Sequence, residues 1–117
     1  MDTSSPVDHS ACVRFQGAIE LIGRRWTGAI IYVLMDAAAS FSEILARVPE
    51  LSDRLLSERL KELEEAGLVN REVIPCRPPK VSYALTGKGC ALKPALDAIG
   101  AWADQWAGVT PPEPTIR

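Results

Sequence analysis

Few side chains in this sequence could do chemistry by themselves. Its 117 residues hold three cysteines, Cys12, Cys76 and Cys90, and a single histidine, His9. Thiolates are nucleophiles and soft metal ligands, and a structural zinc site asks for about four such ligands in close pairs. Cysteines 64 and 14 residues apart offer no pairs, so no metal or other cofactor is expected. An odd count without close spacing also argues against a disulfide framework and suits a reducing compartment. His9 follows a polar, proline-containing start, and nothing supplies a nucleophile–base pair, a glycine-rich phosphate loop or paired inward carboxylates. No catalytic residue is assigned, and the chain reads as a non-enzyme.

The second chemistry within reach is electrostatic. With 13 Lys and Arg against 15 Asp and Glu the formal charge is −2, which on average disfavours a polyanionic partner. The average conceals a distribution. Residues 1–40 sum to −1, residues 41–93 to +1 and residues 94–117 to −2. Arg54, Arg59, Lys61, Arg77 and Lys80 gather in the middle segment, whereas its acids cluster later, at Glu62, Glu64 and Glu65. Such cations could position a phosphate backbone; an ordinary solvated helix face would look similar.

The length allows one domain, and 47 % hydrophobic residues suffice for a core. No stretch approaches the roughly 18 to 20 apolar residues of a bilayer span, and the start lacks the pattern of a secretory signal, so a cytoplasmic protein without membrane contact is expected. Residues 1–11 read as a flexible arm and residues 108–117, with Pro111, Pro112 and Pro114, as a proline-rich tail. Between them, Phe15, Ala18, Ile19 and Ile22 mark a first helix stopped by Gly23. Trp26 to Met35 is apolar on all sides and predicts a central core helix. Phe41 to Leu45 opens a short helix, capped by Ser40 or Ser42 and ended near Pro49. The clearest helix is Ser52 to Ala66, with Ser52 as cap and Gly67 as stop. Leu56, Leu60 and Leu63 share one of its faces, and Arg54, Ser57, Glu58 and Lys61 the opposite one. Residues 68–74 and 80–85 read as two strands of a hairpin whose loop, Pro75 to Pro79, projects stiffly. Thr86 can cap a last helix with Leu92, Leu96, Ile99, Ala103 and Trp106 on one stripe, broadened by Trp102, although Gly89, Pro94 and Gly100 weaken it.

A short helix, a brief turn and a longer helix with a polar outer face form a helix-turn-helix, whose second helix enters the DNA major groove. The following hairpin makes it a winged helix. The fold expected is therefore mainly α with a small β-hairpin wing. The reading residues would be Ser42, Ser52, Arg54, Ser57, Arg59 and Lys61, with Arg77 and Lys80 in the wing, and Arg54 and Ser57 nearest the base edges. The terminal helices, with Phe15, Ile19, Leu96, Ile99, Trp102 and Trp106, carry more large apolar surface than so short a chain readily covers alone. They form a candidate dimer interface or, equally, part of an intramolecular core.

Ala18 to Thr27 after Cys12, then Phe41-Ser42-Glu43-Ile44, Leu56 to Val69, Pro78 to Thr86 and Lys88-Gly89 resemble the HxlR-type family of bacterial winged helix-turn-helix, MarR-like transcriptional regulators. The Cys…Gly-x-x-Trp opening together with Pro-Pro-x-x-x-Tyr-x-Leu-Thr is the specific part, and residues 12–107 form the domain. The resemblance implies a homodimer on a palindromic operator in double-stranded DNA, as repressor or activator. It also implies redox or electrophile sensing at Cys12, just ahead of the first helix, where the helix dipole and Arg14 would favour a thiolate. Val13 departs from the proline frequent there, and Cys12 could instead be a small buried hydrophobe. Cys76, beside Arg77, could disturb a phosphate contact on oxidation or be an incidental exposed thiol, and Cys90 receives no role. Two other readings stand beside this one: a regulator with a small aromatic effector near Trp26, and a winged-helix protein-interaction module.

Overall fold

Helix α2 (Thr27–Asp36) is the pillar of the molecule, as its all-round apolarity predicts. In the computed structural model, which describes residues 9–106, it buries Thr27, Ile30, Ile31, Val33 and Leu34. Helices α3 (Phe41–Arg47) and α4 (Asp53–Glu65) pack against it through Ile44, Leu56, Leu60 and Leu63, with Val48 and Leu51 filling the turn between them. Seven residues are too few for a stable isolated helix. A cap and this burial hold α3: Ser40 Oγ accepts from the Glu43 backbone N–H at 3.2 Å, and Glu43 Oε1 accepts from the Ser40 N–H at 2.8 Å. Of the two candidate caps, the structure uses Ser40.

The wing strands β2 (Val69–Ile74) and β3 (Lys80–Leu85) pair antiparallel, Val69 opposite Leu85 and Ile74 opposite Lys80. The expected two-stranded hairpin gains a third member. Residues Ala39–Ser40 form β1 and pair with Tyr83 and Ser82, giving the order β1-β3-β2. No β-propensity marks this dipeptide; it becomes a strand because β3 offers it an edge.

The ends also differ from expectation. Helix α1 (His9–Ile22) already contains His9, Ser10 and Ala11, which the sequence reading assigned to the arm; the rest of that arm and the proline-rich tail lie outside the described residues. The last helix is divided. Thr86 caps only a four-residue turn, α5 (Gly87–Cys90), and α6 (Lys93–Trp106) starts afresh with Pro94 in its first turn, where proline's missing N–H has no partner to lose. No residue of α1 is buried, and Leu96 alone is buried in α6.

Candidate nucleic-acid interface

Helix α4 is fixed at both ends. At its start Ser52 Oγ accepts from the Leu55 N–H at 3.1 Å, so the hydroxyl expected to meet DNA is engaged here as the helix cap. At its end Gly67, at φ +80°, lets the Leu68 N–H reach the Leu63 carbonyl at 2.9 Å, a closure that glycine makes without strain. Lys88 Nζ donates to the Ala66 carbonyl at 2.7 Å and Thr86 Oγ1 to the Gly67 carbonyl at 2.6 Å. The chain just after the wing therefore caps the helix before it. Sequence reasoning gave Lys88 no such role, since its partner lies 22 residues away.

Between these ends, α4 presents Arg54, Ser57, Glu58 and Lys61 to solvent. The Arg54 side chain is 90 % exposed and only loosely paired with Glu58, at 3.4 Å, so its guanidinium is free to exchange that carboxylate for a phosphate or a guanine edge. Glu58 sits among these cations and adds an acceptor suited to a cytosine amino group; its place on the outer face was the signal for it.

Arg59 is a correction. Only 12 % of its side chain is exposed: Nε donates to the Arg25 carbonyl at 3.0 Å and Nη1 to Glu62 at 3.2 Å. Glu62 also receives Arg24 at 3.6 Å. On the helical wheel Arg59 lies beside the leucine stripe, about 40° from Leu63, so its charge ties α4 to the α1–α2 turn. Ser42 is exposed at the start of α3, sharing a 3.3 Å contact with Ser40 Oγ. Arg77 is exposed in the wing loop. Lys80 is half exposed and drawn toward α3 by Glu43 at 4.0 Å. Glu43's carboxyl is held below its usual range, first by the Ser40 backbone N–H and then by Lys80.

Leu96 is a second correction. It is 6 % exposed and belongs to the core of the head, whereas Phe15, Ile19, Ile99, Trp102 and Trp106 are exposed, the two tryptophans at 63 % and 68 %. Cys12 is exposed too, which removes its reading as a buried hydrophobe within this chain. It lies one turn inside α1 and not ahead of it, about 20° from Ile19 and 60° from Phe15 around the helix. Cys76 and Cys90 are likewise exposed. Trp26 packs half-buried against the core, in the left-handed conformation at φ 71°, with the Arg25 guanidinium 5.8 Å above its ring. A cavity of about 320 Å³ opens elsewhere, between Gly17, Ala18, Leu21 and Ile22 of α1 and Leu68, Lys88 and Leu92, so an effector seated on Trp26 gains no support.

A three-helix head, a capped second helix with a solvated polar face and a three-stranded sheet ending in a cationic loop together make a winged helix-turn-helix. The sequence profile of the HxlR-like helix-turn-helix family matches residues 21–111. The chain belongs to that family. It is 48 % identical over 95 residues to the HTH-type transcriptional regulator YvaP of Bacillus subtilis, covering 81 % of this chain and 88 % of that one. To the regulator YodB of the same organism it is 46 % identical over 98 residues, 84 % of this chain and 88 % of YodB. The reduced form of YodB superposes with a TM-score of 0.75 over 83 % of this chain and 95 % of that one; YodB has also been solved quinone-bound and diamide-treated. The redox regulator HypR in its oxidised form gives a TM-score of 0.74 at 34 % identity, over 79 % of this chain and 95 % of HypR. This HxlR-like chain is a DNA-binding transcriptional regulator, and no helix among its described residues is long and apolar enough to cross a membrane.

Proposed function

We infer that this regulator works in the cytoplasm as a homodimer joined through α1 and α6, binds a palindromic operator, and responds to oxidants or electrophiles through Cys12. One observation carries the reading. Cys12, Phe15 and Ile19 share a face of α1, Ile99, Trp102 and Trp106 share a face of α6, and all of them are exposed. A surface rich in tryptophan and phenylalanine, on two helices of which Leu96 alone is buried, fits an interface between copies. A thiol on that surface couples its chemistry to assembly, because oxidation or adduct formation puts polar or bulky atoms where apolar packing is required. The quinone-bound and diamide-treated forms of YodB and the oxidised form of HypR favour this chemistry by kinship.

Two-fold symmetry would set two α4 helices one DNA turn apart, about 34 Å. Arg54, Ser57 and Lys61 then meet the major groove, with Ser42 and Ser52 at its edge, while Arg77 and Lys80 of the wing approach the flanking phosphates. The small net charge makes nonspecific affinity weak, so two half-sites engaged together must supply the binding. The test is a titration of the promoter beside its own gene against random DNA, across a range of salt and with diamide added. Affinity should favour the promoter, fall steeply with salt, and change with diamide in the wild type and not in Cys12→Ser. Equal, weak binding of both DNAs near physiological salt overturns the operator; an unchanged diamide response in Cys12→Ser removes Cys12.

A further inference from the structure

Tyr32 leaves α2 on the side away from its buried residues and meets α6. Its hydroxyl lies 3.2 Å from the Leu96 carbonyl and 3.3 Å from Asp97 Oδ1, sharing one hydrogen between two acceptors. Lys93 Nζ holds the other Asp97 oxygen at 2.7 Å, which keeps the carboxyl below its usual range and in place as an acceptor. Lys93, Leu96, Asp97 and Gly100 recur at three-and-four spacing, so they form one face of α6. The exposed stripe of Ile99, Trp102 and Trp106 forms another, turned about 120° to 180° from Asp97 and Lys93.

Gly100 is what admits the hydroxyl. A Cβ at this position would lie 3.2 Å from Tyr32 Oη, a crowded distance, and glycine is among the least favourable residues in a helix interior. The unfavourable residue and the close approach coincide. Leu96 is the only residue of α6 buried in the head, and one apolar contact fixes a point without fixing a direction. The hydrogen bonds from Tyr32 add the direction.

We propose that Tyr32 is a positioning residue: with Asp97, Lys93 and Gly100 it sets the angle between α6 and the reading head, and through it the half-site spacing that the dimer accepts. The spacing part rests on the dimer reading above; the angle does not. Helix α6 is about 20 Å long, so a tilt of about 10° at its start moves its far end about 3.5 Å. One base pair displaces a half-site by about 3.4 Å and turns it by about 35°. A slackened angle is therefore large enough to blur a one-base-pair choice.

The angle is measured with spin labels at positions 65 and 105 of a full-length chain whose cysteines are replaced by serine, diluted with unlabelled chain. Both Tyr32→Phe and Gly100→Ala should broaden the distance distribution, by about twofold, with the fold retained by circular dichroism. An unchanged width in both variants overturns the proposal, whether the chain is dimeric or monomeric. The spacing is measured by binding to operators lengthened or shortened by one base pair. Wild type should lose about tenfold per base pair and Tyr32→Phe about threefold or less, with single half-site affinity unchanged. Equal discrimination by both proteins overturns the role in spacing. Monomeric sedimentation at assay concentration would remove the dimer reading while leaving the label widths to judge the angle.

Discussion

The leucines of α4 are buried within their own chain, whereas the tryptophans of α6 stand in solvent. Both helices are amphipathic by the same three-and-four spacing, yet only one finds its cover inside the molecule. In the head, α2, α3, α4 and the sheet close a core around Ile30, Ile31, Ile44 and the three leucines. The terminal helices add Leu96 to that core, rest Leu21 and Ile22 against it, and leave Phe15, Ile19, Ile99, Trp102 and Trp106 outside it. The difference separates two properties that a single amphipathic pattern cannot distinguish: burial that stabilises one chain, in the head, and apolar surface left open to a partner, on the terminal helices.

Core truncation tests this division with the largest effect. Leu60→Ala should cost about 2–5 kcal/mol of unfolding free energy, read by denaturant titration and independent of protein concentration. Trp102→Ala should instead weaken dimerisation by about 2 kcal/mol, close to thirtyfold in the dissociation constant, measured by sedimentation. Its melting temperature should depend on concentration less steeply than that of the wild type, because a weaker dimer gains less from mass action at the same concentration. If Trp102→Ala destabilises the chain at high dilution as severely as Leu60→Ala does, the two regions share one core and the comparison fails.

A finer contrast lies on α4 itself. Arg59→Ala should lose about 1–2 kcal/mol of stability, because it breaks a charge-assisted bond to the Arg25 carbonyl and frees Glu62, while the salt dependence of DNA binding stays as it was. Lys61→Ala should do the reverse, leaving the melt unchanged and flattening the plot of log affinity against log salt by about one unit. A flattened slope in Arg59→Ala would show that this arginine leaves its internal partners to reach phosphate.

The sequence makes α4 legible because its signals are local: a serine cap, a leucine stripe and a glycine stop within sixteen residues. The wing strands and the apolar faces of α1 and α6 are legible for the same reason. What escapes depends on distant partners. The helical wheel already sets Arg59 beside the leucine stripe and Arg54 away from it, but no wheel shows that the Arg25 carbonyl, 34 residues away, is what turns Arg59 into a tether. Leu96 shares a stripe with Ile99 and Trp106, and its burial is decided by how α6 leans on the head. Ala39–Ser40 has no strand signal because β3 makes it a strand. Gly89, in the turn before the division of the last helix, has to be glycine because any Cβ would collide with the Leu68 carbonyl, a contact that no helical wheel displays.

The smallest effect expected concerns a carboxylate at the seam of head and wing. Glu43 is the reciprocal half of the Ser40 capping box and faces Lys80, and its folded pKa is depressed by the Ser40 N–H first and Lys80 second. A depressed acid contributes stability above its unfolded pKa and loses it as pH falls through the folded value. Glu43→Gln keeps the cap geometry, since glutamine also serves at this position, but has no charge to lose. Wild type should therefore be the more stable of the two at neutral pH, with the gap closing as pH falls through and below the usual glutamate range. Because Glu43 is solvent-exposed, the gap should also shrink in high salt. Denaturant midpoints of the two proteins at several acidic pH values measure it, and a gap that stays constant with pH would leave α3 held by its burial at Ile44 and by the neutral part of its cap alone.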